Sequence, residues 1–95
     1  MSKYLFVFRG GAPTSPEQGE KLMADWGAWL TGMGDAVLDP GSIVGKSHFT
    51  GPAAEPVSGY MLIEEKSLDA ALAHAQSCPI HHAQGSVEVA AFAQM

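Results

Sequence analysis

Two aspartates and one histidine have the clearest capacity for proton transfer in this chain. Asp25 lies in a predicted helix, Asp39 directly precedes a predicted turn, and His48 lies in a predicted strand. A carboxylate can act as a general base, and an imidazole can take and release a proton near neutral pH. We predict these three as catalytic candidates. Their structural alternatives are a solvated carboxylate, a turn residue whose carboxylate accepts bonds from nearby amides, and an exposed or interface histidine.

Aromatic and cationic side chains form a second set of candidates, for ligand binding. Trp26 and Trp29 are three residues apart on one helical face and could form a flat apolar wall for an aromatic ligand. Tyr60 could donate a hydrogen bond, and Arg9, the sole arginine, could anchor an anion. In the structural alternative the two tryptophans and the tyrosine are core or strand packing, and the arginine pairs with a glutamate or a partner subunit.

Two local patterns resemble metal and nucleotide motifs without meeting their requirements. The segment Gly41–Ser47 has three residues before its Gly-Lys-Ser, where a phosphate-binding loop has four, and no long helix is predicted after it. Cys78, His81 and His82 are metal-ligand types, but Pro79 and their crowded spacing make joint ligation awkward. We therefore predict no metal and no cofactor, interpret the histidines as part of a surface loop with adventitious metal affinity, and expect Cys78 to close the buried stripe of the second helix.

Composition limits the classes of partner. The chain has 95 residues, which make one domain (1–95), with a net charge of −5 and no basic stripe. Nucleic acid and anionic membranes are therefore not expected as partners. Tyr4–Phe8 is too short an apolar run for a signal peptide or a membrane span. The single cysteine cannot form an internal disulfide, so we predict a reducing, cytoplasmic location.

Local signals divide the chain into four strand regions and two helices. Ser15 is placed to cap a first helix that begins at Pro16, and Gly32 and Gly34 end it near residue 33. Ser67 is placed to cap a second helix that Pro79 excludes from continuing. The predicted buried stripe of the first helix is Leu22, Trp26, Trp29, Leu30 and Met33, and that of the second is Leu68, Ala71, Leu72 and Ala75. The predicted strands are Lys3–Arg9, Ala36–Asp39 with Ile43–Phe49 around Pro40-Gly41, Gly59–Glu65 and Ser86–Phe92.

The order β-α-β-β-α-β predicts an α+β, ferredoxin-like fold, in which both helices cover one face of a four-stranded antiparallel sheet. The first and third strand regions have apolar residues on both faces, as Tyr60 and Leu62 alternate with Met61 and Ile63. The helices can cover only one of these faces. We therefore predict a homodimer whose sheets meet face to face, a dimeric α+β barrel.

Taken in order along the chain, a set of short motifs resembles the YCII-related proteins, including the DGPF-domain group. The motifs are Lys3-Tyr4-Leu5-Phe6-Val7, Trp26-Gly27-Ala28-Trp29, Ala36-Val37-Leu38-Asp39-Pro40-Gly41, Gly45-Lys46-Ser47, Gly59-Tyr60, Ser67-Leu68-Asp69-Ala70-Ala71, Cys78-Pro79 and Gly85-Ser86-Val87-Glu88-Val89. The resemblance implies a ferredoxin-like protomer and a dimer. Relatives of this family include an enzyme that removes chloride from a hydroxyquinone.

This chain departs from the family at the place where an active site has been proposed. Some members carry a histidine on the first helix beside an aspartate, but Pro16–Met33 contains no histidine. The Asp-Gly-Pro-Phe motif is also missing, and only Gly51-Pro52 resembles it. The resemblance therefore transfers no catalytic pair to this sequence.

Three functional hypotheses follow. The first is a dimer that binds a small aromatic or apolar ligand in a cleft between the first helix and the sheet, with cofactor-independent acid–base chemistry. The second is a non-catalytic dimeric accessory or interaction domain. The third is a cofactor-free monooxygenase, which rests on analogy of fold.

Overall fold

The first strand, β1 (Ser2–Arg9), occupies the middle of the sheet. In the computed structural model, which describes residues 1–93, it pairs antiparallel with β3 (Val57–Glu65) on one side and with β4 (Ser86–Ala91) on the other. Strand β2 (Val37–Ile43) pairs with β3, so the strand order is β2-β3-β1-β4. With helices α1 (Pro16–Met33) and α2 (Leu68–Gln76), this confirms the predicted β-α-β-β-α-β, ferredoxin-like fold.

Helix α1 begins and ends where the sequence predicts. Ser15 Oγ accepts a hydrogen bond from the Gln18 amide at 3.1 Å, and Gln18 Oε1 accepts one from the Thr14 amide at 2.6 Å. These bonds satisfy donors that have no partner within the helix. At the other end Gly34 has φ 55°, a left-handed conformation that ends the helix. The predicted stripe is confirmed as the inward face, although Trp26 and Leu30 are only partly buried.

The core lies between the helices and one face of the sheet. Every second residue of β1, namely Tyr4, Phe6 and Phe8, is buried on that face. The Trp29 indole N–H donates to His74 O at 3.0 Å and to Ser77 Oγ at 3.2 Å, so its polar atom is satisfied inside the core. The same pair of bonds fastens α1 to the end of α2.

Helix α2 packs differently from the prediction. Ala71 and Ala75 are buried as expected, but Leu68 is 47% exposed and Leu72 is 36% exposed. The inward face of this nine-residue helix is made by the two small alanines, and the leucines lie at its flanks. His74 is partly buried, because its Nε2 lies 2.8 Å from Glu65 Oε2 at the end of β3.

Strand β2 is a single bulged strand, so the predicted turn at Pro40-Gly41 and the strand Ile43–Phe49 are wrong. The register with β3 shifts on both sides of Asp39, and Gly41 adopts φ 71°. Asp39 Oδ1 accepts a hydrogen bond from the Gly41 amide at 2.8 Å and so stabilises the bulge. Proline is tolerated here because β2 is an edge strand. Pairing ends at Ile43, and segment 44–56 is irregular.

No helix or strand of the described chain covers the second face of the sheet. Its centre consists of apolar side chains from three strands, Leu5, Val7, Leu62 and Ala90, together with Tyr60. The protomer is only 18 Å thick, which matches one sheet and one layer of helices. We call this surface the open face. Within residues 1–93 no helix is both long enough and apolar enough to cross a membrane.

We predict that Gly41→Ala destabilises the protein by about 2 kcal/mol or more, because an added Cβ would collide with the Tyr60 carbonyl and φ is positive. Gly27→Ala is the matched control, since a Cβ there meets nothing within 4 Å. That change should stabilise the exposed helix interior by about 0.5–1 kcal/mol. Urea unfolding measures both. Equal effects of the two substitutions would contradict the bulge.

We predict that Glu65→Gln lowers stability at neutral pH and has no effect in acid. The hydrogen bond from His74 and the bond from the Lys66 amide hold the pKa of Glu65 below its usual range. A carboxyl group whose pKa is lower in the folded state stabilises the protein at pH above its unfolded pKa, and this contribution is lost as pH falls through its folded pKa. The urea midpoints of wild type and variant should therefore differ at pH 7 and converge in acid, as pH falls through the lowered pKa of Glu65. A gap independent of pH would contradict the ionic contribution.

Candidate functional site

The structure does not gather the seven predicted site residues into one place. Three lie on the helix side of the molecule: Asp25, Trp26 and Trp29. Three lie on strands at open-face positions: Arg9, Asp39 and Tyr60. His48 lies in the irregular segment 44–56. Each group is therefore considered separately.

The two tryptophans belong to a packed aromatic cluster. Their ring centroids are 5.2 Å apart and nearly perpendicular, Trp26 meets Phe8 edge-on at 5.0 Å, and Trp29 stacks on Phe6 at 6.4 Å. These contacts fill the space between α1 and the sheet. Two surface hollows in the described part of the chain are lined by other residues and contain neither tryptophan. Trp26 is partly exposed and is the accessible edge of the cluster.

One of these hollows is a groove of about 210 Å³ between α1 and the turn that follows α2. Asp25, the predicted proton-transfer residue, is part of its lining. We call it the Asp25 groove, and it is lined by Gln18, Lys21, Leu22, Asp25 and His82. A larger hollow of about 310 Å³ lies near the chain termini and contains none of the predicted site residues.

Helical spacing aligns four of the groove residues on α1, at positions i, i+3, i+4 and i+7 from Gln18. His82 comes from a 3-10 turn, Pro79–Ala83, that follows α2. Neighbouring His81 places its Nε2 3.0 Å from Ala75 O, which fastens this turn to α2. The sequence indicated His82 only as a possible metal ligand. Helical spacing could have added Lys21 and Gln18, but no local signal relates His82 to Asp25.

The groove combines opposite charges with an apolar floor. Lys21 Nζ lies 3.4 Å from Asp25 Oδ2, and both side chains remain partly or largely exposed. Leu22 is buried beneath them. A ligand with a small ring and a hydroxyl group could place its ring on the leucine and its oxygen near the ammonium. The carboxylate and the imidazole could then accept or return a proton.

The predicted residues of the open face are held by bonds within the protomer. Arg9 Nη1 lies 2.7 Å from Glu88 Oε1, and its Nε donates to Glu55 O at 3.3 Å. The Asp39 carboxylate is occupied by the Gly41 amide. Tyr60 lies opposite Val7 in the apolar centre of the face and is 38% exposed.

Cys78 is a core residue. It is buried, and desolvation raises its pKa to about 11, so at neutral pH it remains a thiol and is a weak nucleophile. Within residues 1–93, no group of three His, Cys, Asp or Glu side chains lies close enough together to hold a metal ion.

Comparison with protein-family models finds no match, and comparison with curated proteins finds none. Among solved structures, the chain is similar to 5-chloro-2-hydroxyhydroquinone dehydrochlorinase (TftG) from Burkholderia phenoliruptrix AC1100, in complex with 2,5-dihydroxybenzoquinone. The TM-score is 0.63 and the identity 14%, over 97% of this chain and 95% of that chain. At this identity the likeness shows the α+β fold, of the type found in dimeric α+β barrels, and no family-level match supports the resemblance to YCII-related proteins.

Proposed function

We propose that this protein is a YCII-like homodimer that binds a small aromatic molecule and transfers protons on it without a cofactor. The proposed dimer rests on the apolar surface of the open face. Its apolar centre, which includes Leu5, Val7 and Leu62, is covered by no helix or strand within residues 1–93. An apolar centre with a charged rim is the usual anatomy of a protein interface, and here Arg9 and Glu88 lie at the rim.

The ligand class is supported by the Asp25 groove together with the similar structure. TftG holds 2,5-dihydroxybenzoquinone, a planar ring that carries hydroxyl groups. The groove offers such a molecule the apolar surface of Leu22, the ammonium of Lys21 and the carboxylate of Asp25. Its volume of about 210 Å³ suits a small ligand.

Among the proton-transfer candidates, the geometry favours Asp25. Its carboxylate borders a hollow, whereas the Asp39 carboxylate is engaged by an amide of its own strand. In the proposed step Asp25 accepts the proton of a ring hydroxyl, and the Lys21 ammonium stabilises the oxyanion that remains. Asp25 then returns the same proton to a ring carbon of the oxyanion, directly or relayed by the His82 imidazole, so the net change is a tautomerisation and no other reactant is needed.

A second ligand position, at the aromatic cluster, remains part of the proposal. Trp26 presents a partly exposed ring edge, and a ligand there would rest on Trp26 and Trp29. Arg9 and Tyr60 lie on the opposite side of the sheet, and would contact a ligand enclosed between two paired sheets.

The non-catalytic dimer is the second candidate function, and the closed packing of the tryptophan cluster favours it. No structural observation favours the monooxygenase. If turnover of a hydroquinone depends on dissolved oxygen, the monooxygenase hypothesis would be favoured over acid–base chemistry.

We predict that light scattering at micromolar chain concentration gives about twice the 10.0 kDa chain mass. Val7→Glu places a charge in the centre of the open face and should give the mass of a monomer with an unchanged circular dichroism spectrum. Met23→Glu is the control, because Met23 is 79% exposed on α1 and the same charge there should leave the dimer intact. A monomeric wild type, or a dimeric Val7→Glu variant, would contradict the proposed interface.

We predict saturable binding of 2,5-dihydroxybenzoquinone, followed by calorimetry and by amide chemical shifts. The largest shifts should fall on Lys21, Asp25 and His82, and Asp25→Asn should weaken binding about tenfold, or about 1.4 kcal/mol.

Glu20→Gln removes a carboxylate from an exposed position of α1 outside the groove and should leave the affinity unchanged. Shifts confined to the Trp26 indole would move the ligand to the aromatic cluster. Absence of binding for this compound, hydroquinone and benzoate would favour the non-catalytic dimer.

A further inference from the structure

We infer that segment 44–56, which joins β2 to β3, is a dimerisation arm that lies against the partner protomer and carries His48 and Phe49 onto it. The inference rests on the proposed homodimer and defines its geometry more closely. We call the segment the arm.

The arm has little support within its own protomer. It is thirteen residues long, a length at which loops in small domains usually have a function or a partner. Every residue from 45 to 56 is exposed. Its only backbone-to-backbone hydrogen bond in the described chain is from the Val44 amide to Ser58 O, and near its far end Glu55 O accepts a bond from Arg9.

Large apolar side chains are exposed where the arm begins and along it. Phe49 of the arm is 46% exposed, and Ile43, the last residue of β2, is 90% exposed but lies opposite Gly59 on the helix side of the sheet. A compact chain of this length has a radius of gyration of about 12.4 Å, and the observed value is 13.8 Å. The protomer is therefore more extended than a self-contained domain, and part of its apolar surface lies in the extension.

A second copy of the chain is the occupant that the dimensions favour. Four strands of six to nine residues, about 4.8 Å apart, give the open face a footprint of roughly 500 Å². A stable interface buries about 800 Å² on each partner, so paired sheets alone supply about three-fifths of that area. The arm can supply the remainder, because Ser42, next to its start, lies opposite Tyr60 on the open face.

The length of the arm fits this role. Thirteen fully extended residues span about 43 Å. Because both ends of the arm are fixed to neighbouring strands, its tip can lie roughly 20 Å from the edge of the sheet. That reach is comparable to the width of a four-stranded sheet, about 19 Å. An arm from one protomer can therefore cross the edge of the paired sheets and contact the other protomer.

Charge favours the same partner. Lys46 of the arm makes no ion pair with any described residue of its own protomer. The arm carries both Lys46 and Glu55 and so has no net charge, and the open face carries Lys3 and Arg9 beside Glu64 and Glu88. An ion pair between Lys46 and a carboxylate of a second copy would offset part of the repulsion between two chains of net charge −5. In this arrangement His48 would serve a site on the partner and not one on its own protomer.

The first test compares dimer dissociation constants by sedimentation. Phe49→Ser removes the exposed aromatic side chain of the arm and should weaken the dimer at least about tenfold. Leu68→Ser, which changes a side chain 47% exposed on α2, should leave the constant unchanged. An unchanged constant in the Phe49→Ser variant overturns the arm while the dimer stands. A monomeric wild type overturns the proposed dimer and the arm with it.

The second test locates the arm directly. In a mixed dimer of ¹³C-labelled and unlabelled chains, filtered nuclear Overhauser spectra should show contacts from the Phe49 and His48 rings to the other chain. Contacts of these rings only within their own chain would overturn the inference, even if the two sheets pair.

Discussion

The structure depends on a central strand that is apolar on both faces. The inward residues of β1 are buried under the helices, while Leu5 and Val7 emerge on the other side. The two helices form one layer, and 18 Å of thickness leaves no third layer over the open face. Apolar surface of this extent favours association, since burial of apolar area is the main favourable term in both folding and binding. The proposed dimer and the proposed role of the arm both rest on this one constraint.

The opposite side of the molecule is closed by packing. The Trp29 indole bonds to the end of α2, and its ring packs among Phe6, Phe8 and Trp26. The same junction brings the turn after α2 against the first half of α1 and so creates the Asp25 groove. The contact between the helices that stabilises the core thus also shapes the Asp25 groove. Of the two hollows described in residues 1–93, this groove is the one bordered by a predicted catalytic residue.

The parts of this fold that could be predicted are those with local causes. Ser15, Pro16 and Gln18 set the start of α1, and alternation of apolar residues identified β1 and β3 correctly. The sequence could not distinguish a bulge at Gly41 from a turn, because a glycine with positive φ is typical of both. The bulge depends on the close approach of Gly41 to the Tyr60 carbonyl, and Tyr60 is distant in the sequence. Leu68 and Leu72 were predicted to be buried because helical spacing cannot tell a short helix that packs through alanines from one that packs through leucines.

The candidate site was less predictable than the fold, for a physical reason. Asp25 and His82 are brought together by the packing of α1 against a turn late in the chain, and no spacing in the sequence encodes that contact. Likeness of fold does not supply the missing information, since one fold hosts many chemistries and the similarity to TftG is 14% in sequence.

The central claim is that the folded chain is completed by a second copy. A dimer that unfolds to monomers has a melting temperature that rises with chain concentration, because mass action favours the associated state. The most direct measurement is therefore the melting temperature of the wild-type chain over a hundredfold range of concentration. If the chain is a dimer, the melting temperature should rise steadily with chain concentration. A melting temperature independent of concentration, with a monomer mass throughout, would contradict it.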